Sequence, residues 1–256
     1  MKLKKAYYGS YNETIHKRKE LICILLVFVV MIAIVVGIVV SVNIKNGQKQ
    51  AVVTEIETAK EFSIPEYSGS VSVTVNNNVP FFEEKDFSLE TFEHYSPLDN
   101  LGRCGVAMAC IGLETMPTEE RGSIGMIKPS GWKTIRYDDL IEDRYLYNRC
   151  HLIAYMLAGE NANEKNLITG TRYFNVSGML PYESETANYI RKTSNHVLYR
   201  VTPCFLGDNL VATGVLMEAQ SVEDGGRGLQ FNIFIFNVQP GIQIDYRTGD
   251  SERIAK

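Results

Sequence analysis

Three things are scarce in this 256-residue chain, and each scarcity narrows what it can be. Imidazole is rare, with four histidines the whole supply, and there is a single tryptophan. Close-set cysteines are absent, since the five thiols show no C-x-x-C and no Cys/His spacing, which excludes a zinc site of the finger type. Positive charge is in deficit, with 26 Lys and Arg against 30 Asp and Glu. That balance excludes tight nucleic-acid retention by overall charge, which depends on basic side chains displacing phosphate counterions. Internal repeats and low-complexity tracts are missing as well, which leaves ordinary globular architecture.

What is present begins with residues 21–40, LICILLVFVVMIAIVVGIVV, an unbroken apolar run of twenty residues. At 1.5 Å per residue such a helix matches a hydrocarbon core of roughly 30 Å. A cleaved signal peptide is the competing reading, but its apolar region is usually about 7 to 15 residues and ends at a small-residue site. The SVNIKNGQ that follows offers no such site, so the run reads as an uncleaved transmembrane helix. Lys2, Lys4, Lys5, Lys17, Arg18 and Lys19 precede it and only Lys45 and Lys49 follow closely, which places the amino terminus in the cytoplasm. The expected organisation is a cytoplasmic segment 1–20, a span 21–43, a stalk 44–67 and an extracytoplasmic domain 68–256, on a single-pass protein of the cell membrane.

Beyond residue 44 the chain keeps 20 basic and 28 acidic side chains, a formal −8. Cys104, Cys110, Cys150 and Cys204 fall in that part, where an oxidising exterior permits disulfides in any of three full connectivities. Cys23, within the span, serves apolar packing. Strand signals dominate. Residues 70–75 (SVSVTV) alternate and stop at Asn76, Asn77 and Asn78; 196–205, 210–222 and 229–238 are β-rich, parted by turns at Gly207-Asp208 and Gly225-Gly226. The stretches SPLDNLGRCGVAMACIG and PSGWKTIRY also favour strands over helices.

One segment is both patterned and chemically loaded: YLYNRCHLIAYMLAGENANEKNLITGTRYFNVSGMLPYESETANYIRK, residues 145–192. It divides into a strand (145–155), a loop, a second strand (166–169) and a helix from Arg172, although Gly178 and Pro181 weaken that helix. Taken alone, a histidine followed by Leu-Ile-Ala is more often a hydrogen-bonded core residue than a catalyst. Asn175 could be a helix cap, and Glu183 could simply favour a helix amino terminus.

The ordered set Asn148-Arg149-Cys150-His151, Asn175 and Glu183, continuing through KNLITGTRYFN and VQPGIQIDYRTGD, resembles the ββα-metal motif of the DNA/RNA non-specific endonucleases. The resemblance is strongest to their bacterial surface and DNA-entry branch, and it covers roughly residues 70–250. It implies an α+β domain with a mostly antiparallel sheet core that hydrolyses phosphodiesters of DNA and RNA without strong sequence preference, leaving a 5′-phosphate. His151 would be the general base, because imidazole accepts protons near neutral pH. Asn175 would bind Mg²⁺ or Mn²⁺ through its carbonyl oxygen, a hard donor suited to a cation that keeps most of its waters. Glu183 would accept hydrogen bonds from those waters, and Asn166 would orient the histidine or its loop. Arg149, two residues from His151 on one strand, should share its face and reach the phosphate.

Two positions depart from the family's D-R-G-H. Asn148 replaces the carboxylate and Cys150 the glycine. Arg103, Arg121, Arg136, Arg172 and Arg191 are candidates for a basic cleft that would reconcile nuclease chemistry with an acidic surface. Trp132 reads as a buried turn residue, and His94 and His196 show no partners at recognisable spacing. Two rivals remain. A thiol hydrolase would pair Cys150 with His151, but successive strand residues face opposite ways. A surface receptor for DNA or protein on a decayed nuclease fold would need none of the constellation.

Overall fold

The structure, a computed structural model, describes residues 62–254. The apolar run and the anchor read from it lie outside the described residues, within which no helix is long and apolar enough to cross a membrane. A compact unit begins at Ile64. Residues 64–67, assigned above to the stalk, pack with it: the Tyr67 ring lies 5.2 Å from Phe236.

The centre is a six-stranded antiparallel sheet, built from β1 (Ser72–Thr74), β2 (Phe92–Tyr95), β3 (Ala107–Ile111), β6 (Val197–Cys204), β7 (Gly214–Ser221) and β8 (Gln230–Phe236) in the order β1-β8-β7-β6-β3-β2. Its three long strands are the three β-rich runs of the carboxy-terminal third. Alternation decides the faces: Val197, Tyr199, Val201, Val215, Met217, Ala219, Phe231, Ile233 and Ile235 all enter one core. The Tyr199 ring is fully buried between Ala109 and Ala219, whose small side chains leave it room. The other face is covered by the segment that follows β1. Phe81 N–H donates to Glu218, and Arg200, paired with Glu218 at 2.7 Å, lies over the Phe82 ring. The three asparagines that stop β1 take φ values of 48, 51 and 68°, which asparagine tolerates better than most residues.

Two further strands, β4 (Tyr147–His151) and β5 (Leu167–Thr171), form a separate antiparallel pair. Strand pairing ends at His151 opposite Leu167, earlier than the 145–155 expected. Beyond it the fully buried Asn166 side chain takes over both backbone groups of Ile153, and the chain turns into the short helix α1 (Tyr155–Ala158). The PSGWKTIRY stretch gives only one isolated bridge, Arg136 to Tyr145, rather than a strand. A last hairpin, β9 (Ile242–Ile244) with β10 (Ser251–Arg253), closes a second apolar cluster with Tyr137, Ile141, Leu146 and Tyr147.

After β5 comes a π-helical turn, Phe174–Met179, running directly into α2 (Leu180–Thr193). This resolves the conflict at Gly178 and Pro181. Pro181 stands where the π turn passes into α2, so the N–H it lacks falls where the helical bonding changes register. Gly178 is buried where a Cβ would come within 2.5 Å of Ile235, so the turn can press against β8 only with glycine there. Glu183, Thr186, Ala187 and Ile190 form the buried stripe of α2 at helical spacing. Strand, strand and helix therefore follow one another as expected, in a mixed α and β fold with an antiparallel sheet.

Candidate active site

His151, at the end of β4, is 6% exposed and held from both sides. Its Nε2 lies 2.8 Å from the Asn161 carbonyl, and its Nδ1 lies 3.2 Å from an Arg121 guanidinium nitrogen. A guanidinium can only donate, so Nδ1 accepts, and Nε2 carries the proton and donates to the Asn161 carbonyl. Burial pushes the imidazole down from 6.5 to about 4, with the Arg121 charge acting in the same direction and the Asn161 carbonyl against it. The ring is thus neutral across the physiological range, with its lone pair on the atom that Arg121 faces.

The Arg121 charge is also felt at Glu183. The carboxyl, 6% exposed on the buried stripe of α2, is pushed up to about 8 by burial, and the guanidinium is the charge that opposes this. Asn175 lines a cleft of about 500 Å³ together with Arg121, Trp132, Lys133, Arg149 and Arg172. On a regular α-helix, residues eight apart such as Asn175 and Glu183 sit roughly 80° from one another. The wider π turn absorbs about one residue and brings the two towards a common side. None of the described residues hydrogen-bonds the Asn175 amide, so its oxygen is available to a cation. Among the described residues no group of three or more His, Cys, Asp or Glu could cage a metal ion. One amide oxygen lining an open cleft fits a hard, largely hydrated ion better than a thiophilic one.

The other expected residues divide. Asn166 does not touch His151; it holds Ile153, two residues beyond, with Ile153 N–H donating at 2.9 Å and the Asn166 amide donating back at 3.0 Å. Arg149 lines the cleft, but Nε donates to the Ile127 carbonyl and a terminal nitrogen to that of Gly125 at 2.8 Å. Its guanidinium is also stacked 3.9 Å from the Trp132 ring centroid. Of the five arginines proposed for the cleft, Arg121 and Arg172 line it. Arg103 instead binds Asp99 and the carbonyls of Gly207 and Asn209, and Arg136 binds Asp138. Arg172 is itself paired with Asp143 at 2.6 Å and Lys133 with Asp250 at 3.2 Å, so the cleft's positive charge is partly neutralised.

Several expectations are corrected. Trp132 closes the turn that begins at Pro129 and is half-buried against the second apolar cluster, and it is a wall of the cleft as well. His196 does have partners, Glu223 at 2.5 Å and Glu114 at 3.2 Å, contributed by chain segments far apart in sequence. The four described cysteines are all free. The Cys150 thiol is fully buried, and burial raises it far above the range in which a thiolate forms, which removes the thiol-hydrolase reading. Its sulfur occupies space left by Gly170, where a Cβ would lie 2.5 Å from it. The Asn161 carbonyl and Lys133 were not singled out in the sequence at all. Arg121 was one of five equal candidates, and no spacing rule connects it to a histidine thirty residues away.

Comparison with known proteins follows the same lines. NucA from Streptococcus agalactiae, in structures with magnesium bound and with no metal bound, aligns with a TM-score of 0.62 and 28% identity over 71% of this chain and 86% of that one. The Sda1 nuclease with bound zinc ion aligns with a TM-score of 0.53 and 28% identity, over 64% of this chain and 81% of the other. An extracellular endonuclease at 18% identity and a TM-score of 0.51 shares the fold. A family model for DNA/RNA non-specific endonucleases matches residues 85–223, the span that holds Arg121, His151, Asn175 and Glu183, and the chain belongs to that family of nucleases.

Proposed function

We propose that the chain hydrolyses phosphodiesters of DNA and RNA with a divalent cation, Mg²⁺ or Mn²⁺, and with His151 as general base. The observation that carries this reading is the tautomer imposed on His151. The Asn161 carbonyl accepts a hydrogen bond from Nε2–H, which leaves Nδ1 as an acceptor directed at the cleft-lining Arg121. Arg121 swinging from Nδ1 to a phosphate oxygen would expose the lone pair to water and place positive charge on the phosphate in one motion. The phosphate's negative charge beside the imidazole raises its basicity from the low value set by burial.

Asn175 would hold the cation through its side-chain oxygen, and Glu183 would accept hydrogen bonds from the ion's waters. The ion supplies charge stabilisation at the scissile phosphate. NucA with magnesium and Sda1 with zinc support a divalent ion here, and the sparse oxygen site favours Mg²⁺. Arg172 and Lys133, half committed to Asp143 and Asp250, provide a cleft that attracts a polyanion and lets it go. The twenty-residue apolar run and its flanking lysines support the accompanying proposal that residues 21–43 anchor this nuclease in the cell membrane, with residues 68–256 outside.

The test is plasmid and RNA degradation by the full chain in detergent, with Mg²⁺, with Mn²⁺ and with EDTA, beside His151→Ala. Cleavage lost in EDTA and reduced about 10²- to 10⁴-fold by the substitution is expected. Absence of cleavage by the wild type under every divalent ion would leave the non-catalytic receptor instead.

A further inference from the structure

We propose that Arg149 and Trp132 form a pin that holds the Arg121 loop over His151, so that Arg149 serves the reaction through Arg121 and not by touching the phosphate. The inference rests on the nuclease reading above and assigns a positioning role to two residues, one of which the sequence places on the substrate.

The geometry closes a ring. His151 and Arg149 point to the same side of β4, being two residues apart on a strand. Arg149 reaches out to the Ile127 and Gly125 carbonyls, and the loop carrying those carbonyls leads back to Arg121, whose guanidinium stands 3.2 Å from His151 Nδ1. Trp132 lies at the far end of the same loop and covers the Arg149 guanidinium face at 3.9 Å. A planar fork satisfied at its edge by two carbonyls and on its face by an indole has one orientation, and lysine cannot reproduce it.

The loop is tied at its margins too: Tyr155 donates to the Glu119 carbonyl at 2.8 Å, and Thr169 to the Ser130 carbonyl at 2.8 Å. Between these margins, the fixings that Arg149 provides act on the stretch that sets where Arg121 points. Two glycines, Gly122 and Gly125, lie in that stretch, and its internal ties are two long bonds, Ile127 N–H to the Ile124 carbonyl at 3.2 Å and Gly125 N–H to Ser123 Oγ at 3.4 Å. The pin therefore adds to a weak local stiffness.

The experiment uses the full chain and two readouts. Trp132 is the sole tryptophan, so acrylamide quenching of intrinsic fluorescence reports on the stack directly. Trypsin cleavage after Arg121 reports loop placement without any turnover. Arg149→Lys and Arg149→Ala are expected to expose Trp132 to quencher and to speed scission after Arg121, while cuts elsewhere in the described unit keep their wild-type rate.

In kinetics, Trp132→Leu is expected to lower kcat about tenfold with KM little changed, because a displaced catalytic group costs turnover before it costs binding. Trp132→Phe, which keeps an aromatic face, stays within about threefold of the wild type. In an Arg121→Ala background the tenfold effect of Trp132→Leu disappears, since the pin then positions nothing. An equal loss in both backgrounds would overturn the proposal, as would wild-type trypsin resistance in Arg149→Ala. A chain that cleaves no nucleic acid would sink the nuclease reading, while the quenching and trypsin arms would still decide whether the pin exists.

Discussion

Replacing Glu183 by glutamine should make the metal-free protein more stable and a poorer nuclease. The carboxyl is pushed by burial from its ordinary 4.5 up to about 8, with Arg121 only partly opposing. A raised acid pKa means that the folded state keeps a proton which the unfolded chain has released. The cost to folding is therefore absent below about pH 4.5, grows through the window up to about 8 and is constant above it. At about 1.4 kcal/mol per pKa unit, the cost is about 3 kcal/mol at pH 7 and about 5 kcal/mol above pH 8.

Glutamine has nearly the same shape and no charge, so in EDTA the variant should melt higher at pH 7 by roughly 6–12 °C, at about 2–4 °C per kcal/mol for a domain of this size. At pH 4.5 the two curves should coincide. Adding Mg²⁺ should raise the wild-type midpoint and leave the variant's nearly unchanged, because the carboxylate would serve the ion's waters. Activity should fall about 10- to 100-fold. Thermal melts of the full chain at three pH values, with and without Mg²⁺, test all of this. A variant that melts at or below the wild type in EDTA at pH 7, or a gap that persists unchanged at pH 4.5, would refute the argument from burial.

Gly170→Ala should destabilise the fold by about 1–3 kcal/mol in urea unfolding, since its Cβ would lie 2.5 Å from the Cys150 sulfur and 2.6 Å from the Phe174 ring. Adding Cys150→Gly should recover part of that loss and no more, because the clash with Phe174 remains. His196 is raised by its hydrogen bond to Glu223 and then to Glu114; Glu114 is lowered by its own backbone N–H and then by His196, and Glu223, against its burial, by its hydrogen bond with His196. The stability this cluster adds is present above the ordinary carboxylate range and below about pH 6.5, and it fades as pH rises through the elevated histidine pKa. His196→Gln should accordingly lower the midpoint by about 1–3 °C at pH 6 and make little difference at pH 9. With all four described cysteines free, dithiothreitol should leave the melting curve where it is, and a drop of several degrees would reveal a disulfide.

Much of this protein was legible in order along the chain. The β-rich runs ending at Gly207-Asp208 and Gly225-Gly226 became β6, β7 and β8 because alternation and turn residues are local properties. His151, Asn175 and Glu183 could be picked out because the spacing between them is part of a family pattern that one short stretch of chain contains. Even the conflict between Gly178, Pro181 and a helix was visible there. Its solution was not: a π turn is chosen by the need to press Gly178 against Ile235 on β8, a strand more than fifty residues later in sequence.

What only the tertiary structure decided is where the charges and carbonyls meet. Arg121 looked like four other arginines until the loop brought it to His151. Arg149 carries the right group for a phosphate, yet its donors are directed to the Gly125 and Ile127 carbonyls. Asn161 contributes a carbonyl, which every residue possesses, so no side-chain pattern could mark it. Residue type and local period establish which groups are available; long-range packing determines which group faces which, because a hydrogen bond depends on a few tenths of an ångström that only the folded chain sets.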